Sequence, residues 1–279
     1  MRLRSLLFVP GDRPDRMRKA LSLGADALIL DLEDSVALAA KETARREVAG
    51  FLKEAGREIS LFVRINQLDS HLIDADLAAI IPCVPSGIVL PKAEGAAAIR
   101  KLDALLRAQG DTQSKILPIA CETPNGLFRL GEYGEVAERL VGLTWGAEDL
   151  PAAIGALTAR LADGSYTRPF EIARALTLFA AAAAQVAPID TVYPAIRDLD
   201  GLAAYAQEAA RDGFIGMMAV HPDQIPIINK AFTPSAQALE HAQAVIDAFA
   251  SNPEAGVLTL DGKMIDRPHL IRALSIIAR

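Results

Sequence analysis

Aromatic residues are scarce in this chain, at 5% of 279 residues with a single tryptophan. A core built on large rings is therefore excluded, and Ala, Leu, Ile and Val must fill the interior, as they do where parallel strands are buried on both faces. There are only two cysteines, Cys83 and Cys121. They lack metal-type spacing and are too few for a disulfide framework, so a reducing cytoplasm is the expected compartment. No block of like charge occurs, and the formal net charge is −6. That balance excludes a general nucleic-acid footprint, which would be basic. It leaves room for a local basic pocket facing a phosphorylated ligand. Long apolar runs are missing too. The most apolar helical stretch, around Leu176 to Val186, is too short and too alanine-rich to cross a bilayer. Met1-Arg2-Leu3-Arg4 leads straight into a short apolar run stopped by Pro10-Gly11, which is not a signal-peptide pattern. No internal repeat, low-complexity tract or linker interrupts the chain.

What is present is an alternation. Short runs rich in Leu, Ile and Val predict strands near Ser5–Val9, Ala27–Leu32, Leu61–Ile65, Gly87–Leu90, Ile116–Cys121, Leu140–Trp145, Asp190–Tyr193 and Phe214–Val220. Helical patterns lie between them, clearest at Arg13–Leu23, Ala37–Glu54, Ala93–Ala108, Pro169–Gln185 and Leu199–Asp212. Ser35 reads as the N-cap of the second. About eight βα units in roughly 250 residues predict an α/β fold, a (β/α)₈ TIM barrel over residues 1–229. A doubly wound open sheet is the alternative. The pattern changes after Asn229. Residues 230–279 read as a C-terminal helical extension: a helix capped by Ser235 and running to Phe249, a hairpin-like stretch through Leu260-Asp261-Gly262-Lys263, and a last helix from Pro268.

In such a barrel, chemistry sits at the C-terminal ends of the strands. Seven successive strand ends carry ionisable or phenolic groups: Asp31-Leu32-Glu33-Asp34, Arg64-Ile65-Asn66, Lys92, Glu122-Thr123, Glu148-Asp149, Tyr193 and His221. All would converge on one mouth. No His/Cys cluster suits zinc. Glu122 and Asp149 follow successive strands, and two carboxylates completed by waters and substrate oxygens suit octahedral Mg²⁺. The structural alternatives are a salt bridge from Glu122 to Arg64 or Lys92, and a helix cap by Asp149 before Pro151. Arg64 has the planar fork that clamps a substrate carboxylate, or else pairs with Asp31 or Glu33 to hold the rim. Asp31 and Glu33 would orient Arg64 or a metal-bound water. Lys92 raises the possibility of a Schiff base, but neighbouring carboxylates favour a protonated, electrostatic lysine. His221 before Pro222 reads first as a loop anchor.

These segments resemble the citrate lyase β-subunit-like proteins of the HpcH/HpaI aldolase family. The resemblance rests on Arg4–Gly11, Asp31–Val36, Val63–Asn66, Leu90–Lys92, Glu122-Thr123, Gly146–Leu150, Ile189–Tyr193, Gly216-Met217, His221–Ile225 and Asp261–Asp266. It covers nearly the whole chain in order. It implies a barrel that assembles as a homotrimer, Mg²⁺ held by Glu122 and Asp149, and a substrate carboxylate held by Arg64. It implies cleavage or formation of a C–C bond in a thioester such as citryl-, malyl- or citramalyl-CoA. It further implies that the extension reaches a neighbouring subunit, where Asp266 completes the site as a base. By sequence alone Asp266 is a helix cap before Pro268. Arg13, Arg16, Arg18 and Lys19 near a helix start are candidate contacts for coenzyme A phosphates, or a solvated basic face. Three other readings remain: the β subunit of a multi-subunit citrate lyase acting on an acyl-carrier-protein thioester, a metal-dependent aldolase using a free pyruvate enolate, and a non-enzymatic ligand-binding or assembly protein.

Overall fold

The computed structural model describes residues 1–56 and 58–278. Eight parallel strands alternate with helices: β1 Ser5–Pro10, α1 Pro14–Ala20, β2 Ala27–Asp31, α2 Lys41–Glu54, β3 Ser60–Arg64, α3 Ile73–Ile80, β4 Gly87–Leu90, α4 Gly95–Ala108, β5 Lys115–Pro118, α5 Pro124–Phe128, β6 Gly142–Leu143, α6 Asp149–Ile154, α7 Arg168–Ala183, β7 Ala187–Asp190, α8 Leu199–Asp212 and β8 Gly216–Ala219. The sheet runs β5-β4-β3-β2-β1-β8-β7-β6. Isolated parallel bridges Ile116–Leu140 and Ile119–Thr144 join its two ends. Main-chain bonds from Val141 to Ile116, Thr144 to Pro118, Ala120 to Thr144 and Gly146 to Cys121 complete the seam. The result is the expected (β/α)₈ barrel.

The strands are apolar on both faces because both faces are covered. Leu6, Ala27, Ile29, Phe62, Val89, Leu117, Ile119, Ile189 and Met218 fill the barrel interior. Their neighbours Leu7, Leu28, Leu30, Val63, Ile88, Leu90 and Ile116 pack outward against the helices. Gly87 makes room for the largest interior ring. A Cβ there would lie 2.6 Å from Phe62 Cε1.

Several boundaries differ from expectation. The seventh strand is Ala187–Asp190, not Asp190–Tyr193. Pro188 reads as a breaker, yet its carbonyl still accepts from the Ile215 N–H at 3.0 Å, so pairing toward β8 survives. Regular pairing in β6 shrinks to Gly142–Leu143, although irregular bonds extend on both sides. Ser35 does not cap α2. Its N–H donates to Asp31 Oδ2 at 3.1 Å, and a short 3₁₀ turn at Leu38–Ala40 precedes the helix.

Beyond the barrel, α9 Ile225–Ala231 packs on β1, β8 and α8 and so carries the barrel's own packing past Asn229. Then follow α10 Ala236–Ala250, the antiparallel hairpin β9 Val257–Leu260 and β10 Lys263–Asp266, and α11 Arg267–Ile277. Ser235 Oγ accepts from the Ala238 N–H at 3.1 Å and caps α10. This extension has a small core of its own, Ala242, Val245, Phe249, Ile265 and Ala273.

Candidate active site

Side-chain alternation sets the site. Ile29 and Phe62 face the barrel interior, so two residues further on Asp31 and Arg64 face the same way at the strand ends. They are also register partners on β2 and β3. Arg64 Nε and Nη2 each lie 2.7 Å from an Asp31 oxygen, a bidentate fork. Arg64 Nη1 is 3.0 Å from Glu33 Oε2. Burial opposes the Arg64 charge, but the Asp31 bonds and the Asp31 and Glu33 charges raise its pKa. Burial likewise opposes ionisation of Asp31, and the Arg64 fork overrides it and lowers that pKa.

Lys92 bridges carboxylates at other strand ends. Its Nζ is 3.2 Å from Glu33 Oε1 and 3.1 Å from Asp149 Oδ1. Its N–H donates to Glu122 Oε2 at 2.5 Å. Lys92 holds a φ of +49°, a left-handed conformation uncommon for residues with a Cβ and often found at functional sites. Burial lowers the lysine pKa, while the charges of Glu33, Glu122 and Asp149 raise it further, so the net shift is upward. An ammonium held this firmly disfavours Schiff-base chemistry, which needs the free amine.

Glu122 is 3% exposed. Burial pushes its pKa up to about 8, and the Asp149 and Glu33 charges add to the rise against Lys92. Burial also raises Glu33. Gly146 is required beside Glu122, because a Cβ there would overlap Glu122 Cγ and lie 2.8 Å from its Oε1. Asp149 opens α6, so its side chain stands at the rim rather than capping that helix.

A cavity of about 330 Å³ brings Asp31, Arg64, Glu122, Glu148, Asp149 and Arg16 together over an apolar floor of Phe8, Ile119, Val192 and Met218. Glu33 lies behind Arg64 and Lys92. Lys92 does not line this cavity but another, with Glu94, Lys101 and Arg129. Arg13 does not line the mouth; it lies 3.7 Å from Asp12. Arg18 lies 3.6 Å from Glu54. His221 Nδ1 accepts from the Asp223 N–H at 3.3 Å, the anchoring role expected of it. Asp266 is in the extension, half-buried, with Oδ1 2.5 Å from His269 Nδ1, and it does not line its own chain's cavity.

The sequence reading missed the supports behind these residues. Lys41 Nζ spends its three N–H donors on Leu32 O at 2.6 Å, Glu33 O at 2.7 Å and Asn66 Oδ1 at 2.8 Å. Asp76 accepts from Asn66 and from Arg45. One signal was available: Ile73, Asp76, Leu77 and Ile80 share the buried face of α3, and an acid at an apolar position of a helical period calls for a buried partner.

Four carboxylates, Asp31, Glu33, Glu122 and Asp149, thus share two cations, Arg64 and Lys92. The deficit is two positive charges, and burial is the main cause of the upward shifts of Glu33 and Glu122, which the cations only partly offset. Among the described residues no group of three or more His, Cys, Asp or Glu is arranged to hold a metal ion. Two protein carboxylates with oxygens from elsewhere remain a fitting donor set for a hard dication.

Acidic mouth, basic clamp and apolar floor at the C-terminal end of the barrel are the arrangement of a (β/α)₈ enzyme site. More particularly, the chain belongs to the HpcH/HpaI aldolase/citrate lyase family, whose model matches residues 4–222. It is 37% identical over 273 residues to the citrate lyase subunit beta-like protein of Mycobacterium tuberculosis, covering 98% of this chain and 94% of that one. It is 35% identical over 287 residues to the citrate lyase subunit beta of Escherichia coli K12, covering 99% and 92%. Citramalyl-CoA lyase, mitochondrial, of Rattus norvegicus is 34% identical over 291 residues, covering 98% and 85%. A crystal structure of protein CitE from M. tuberculosis in complex with magnesium, acetoacetate and coenzyme A superposes with a TM-score of 0.82 at 35% identity, covering 98% of this chain and 96% of that one.

Proposed function

We propose that this chain is a Mg²⁺-dependent carbon–carbon lyase that cleaves or forms a β-hydroxyacyl thioester such as citryl-, malyl- or citramalyl-CoA. The observation that carries the reading is the unbalanced acidic mouth, in which buried Glu122 faces Asp149 across a cavity walled by Arg64. Relatives named for citrate and citramalyl-CoA lyases, and a similar structure holding magnesium, acetoacetate and coenzyme A, support it.

In this reading Glu122 and Asp149 hold the metal. Bound there, Mg²⁺ supplies Lewis acidity that lowers the pKa of a substrate hydroxyl. Arg64, oriented by Asp31 and Glu33, keeps N–H donors beyond its fork for the substrate carboxylate. Lys92 adds positive charge where negative charge develops. A carboxylate base, Asp266 of a neighbouring copy, takes the hydroxyl proton. The C–C bond then breaks, its electron pair passing to the thioester fragment as an enolate while the other fragment leaves as a keto acid. Arg16 at the cavity wall is the candidate coenzyme A contact; Arg13 lies near it in sequence, outside that wall.

The chain is read as a cytoplasmic homotrimer. Both cysteines are free, and no helix among the described residues is long and apolar enough to cross a membrane. Ile172, Leu176 and Phe179 form an exposed apolar stripe on α7, and Ile271, Leu274 and Ile277 another on α11. Apolar faces of this kind mark association surfaces. The barrel, carried through α9 to Ala231, is the catalytic unit, and the remainder of the C-terminal extension reaches the neighbour.

A second reading is favoured by the relatives named as citrate lyase subunit beta: the same chemistry on a citryl acyl-carrier-protein thioester. The test is a turnover screen of the purified protein with Mg²⁺ against citryl-, malyl-, citramalyl- and β-methylmalyl-CoA. Cleavage of one of them, lost in EDTA and restored by Mg²⁺, is expected. Inactivity on all four, with cleavage of the carrier-protein ester, selects the second reading. Full activity in EDTA rejects the metal.

A further inference from the structure

Ile189-Asp190-Thr191 plays no part in the chemistry above, yet Asp190 is among the most tightly held side chains in the molecule. Ile189 faces the barrel interior, so Asp190 points outward, between α7 and α8, and is fully buried. Its Oδ1 accepts from the Trp145 indole Nε1–H at 2.8 Å, the Thr191 N–H at 2.8 Å and the Tyr205 hydroxyl at 3.0 Å. Its Oδ2 accepts from Arg174 Nε at 2.9 Å, and Arg174 Nη1 continues to Asp212 at 2.8 Å. Three different elements thus converge on one carboxylate.

The Trp145 bond leads to the site. Trp145 is fully buried, with its ring edge-on to Tyr166 at 5.1 Å between centroids. The segment that follows it directly is Gly146–Asp149. Gly146 donates its N–H to Cys121 O at 3.1 Å and lies against Glu122; the Ala147 N–H points to Thr191 Oγ1 at 3.4 Å. The indole is therefore the side-chain anchor at the start of the segment that carries Asp149, the Gly146 and Ala147 N–H bonds hold that segment further on, and Asp190 fixes the indole.

We infer that Asp190 is a positioning residue. Acting through Trp145 and Thr191, it sets the Gly146–Asp149 segment, and with it the placement of Asp149 relative to Glu122. The inference rests on the reading that this pair holds the metal. Octahedral Mg²⁺ tolerates little displacement of its ligands. Removing an outer partner that orients a metal ligand commonly weakens binding roughly 10- to 100-fold.

The test compares the whole protein with Asp190→Asn, which keeps shape but loses the charge held by Arg174, and with Trp145→Phe, which keeps most of the ring and loses the N–H. Leu202→Ala on α8 serves as a control that destabilises the same layer without touching the network. Two readouts are taken: Mg²⁺ affinity by calorimetry, and amide hydrogen exchange of the stretch 144–150 in the metal-free protein. Faster exchange there and a roughly 10- to 100-fold loss of Mg²⁺ affinity are expected for both network variants, with neither change in the control. Unaltered exchange and affinity in a folded Asp190→Asn protein, with only a lower melting temperature, would overturn the inference. If Asp190→Asn does not fold, Trp145→Phe decides by the same two readouts. If the wild type itself takes up no Mg²⁺, the metal reading fails while the exchange data still decide whether Asp190 sets the segment.

Discussion

Glu122 keeps a carboxylate where water has been removed from it. Burial, reinforced by the charges of Asp149 and Glu33, pushes its pKa up to about 8, and the Lys92 N–H and ammonium only partly offset this. On the proposed reading that Glu122 holds the metal, a proton and Mg²⁺ compete for the same oxygens. Mg²⁺ affinity is therefore expected to rise with pH from 6 to about 8 and then level off, with proton release on binding in that range measurable by calorimetry in buffers of different ionisation enthalpy. The same shift has a stability consequence. A group whose folded pKa is raised favours the fold below its unfolded pKa, and that contribution is lost as pH rises through the folded value. For Glu122 the loss falls between roughly pH 4.5 and 8. Glu122→Gln, a neutral isostere, is thus expected to be more stable than the metal-free wild type at pH 9, by about 2–4 kcal/mol, and the two should converge near pH 5. Activity should be lost in the same variant. Equal denaturation midpoints at both pH values would mean that Glu122 carries no such strain. At Arg64 the planar fork matters more than the charge. Arg64→Lys cannot reproduce the two bonds to Asp31, and a fall in kcat/KM of at least 100-fold is expected in steady-state assays with Mg²⁺.

The strand ends act through what stands behind them, and α2 and α3 supply the clearest case. Lys41 at the start of α2 holds two carbonyls of the Leu32-Glu33 turn and the Asn66 side chain, while Asp76 on α3 holds Asn66 from the other side. The helices thus clamp the turn that presents Glu33 to Arg64 and Lys92. Lys41→Met keeps the stem and removes the donor, leaving buried acceptors unpaired. A loss of about 3–5 kcal/mol in denaturant unfolding is expected, together with a lower kcat, because Glu33 loses its register. An unchanged kcat in a folded Lys41→Met protein would show that the clamp serves stability alone. This layer also marks the limit of what the sequence made legible. The short apolar runs ending in polar residues predicted the barrel and the mouth, because strands buried on both faces must be apolar up to the rim. Pattern alone did not carry register. The expected pairing of Arg64 with Asp31 or Glu33 is present, but that Asp31 takes the fork follows from the β2–β3 register and not from either segment. Pro188 masked the seventh strand and displaced its expected start by three residues, which hid the outward turn of Asp190. Lys41 escapes a pattern-based reading because two of its three acceptors are main-chain carbonyls that no side-chain pattern reveals.

At the scale of the whole molecule, the question is where Asp266 works. In its own chain it ends β10, leans on His269 and does not line the cavity. The extension that carries it has only a small core of its own and turns Ile271, Leu274 and Ile277 outward. A base delivered by a neighbouring copy reconciles these facts, and it can be tested by complementation. Glu122→Gln and Asp266→Asn are each expected to be nearly inactive alone. In a closed ring with one site at each contact, a site built from two copies is intact only where a chain with native Glu122 meets a neighbour with native Asp266. Random assembly of an equal mixture of the two variants, by co-expression or joint refolding, would then restore about a quarter of wild-type activity per site. If Asp266 served its own chain, every site in the mixture would carry one defect and no activity would return. An equal mixture of each variant with wild type should retain about half the activity under either arrangement and so serves as the check that mixing occurred. Near-zero activity in the crossed mixture, with half activity in the controls, would therefore place Asp266 outside the neighbour's site and assign it to the site of its own chain.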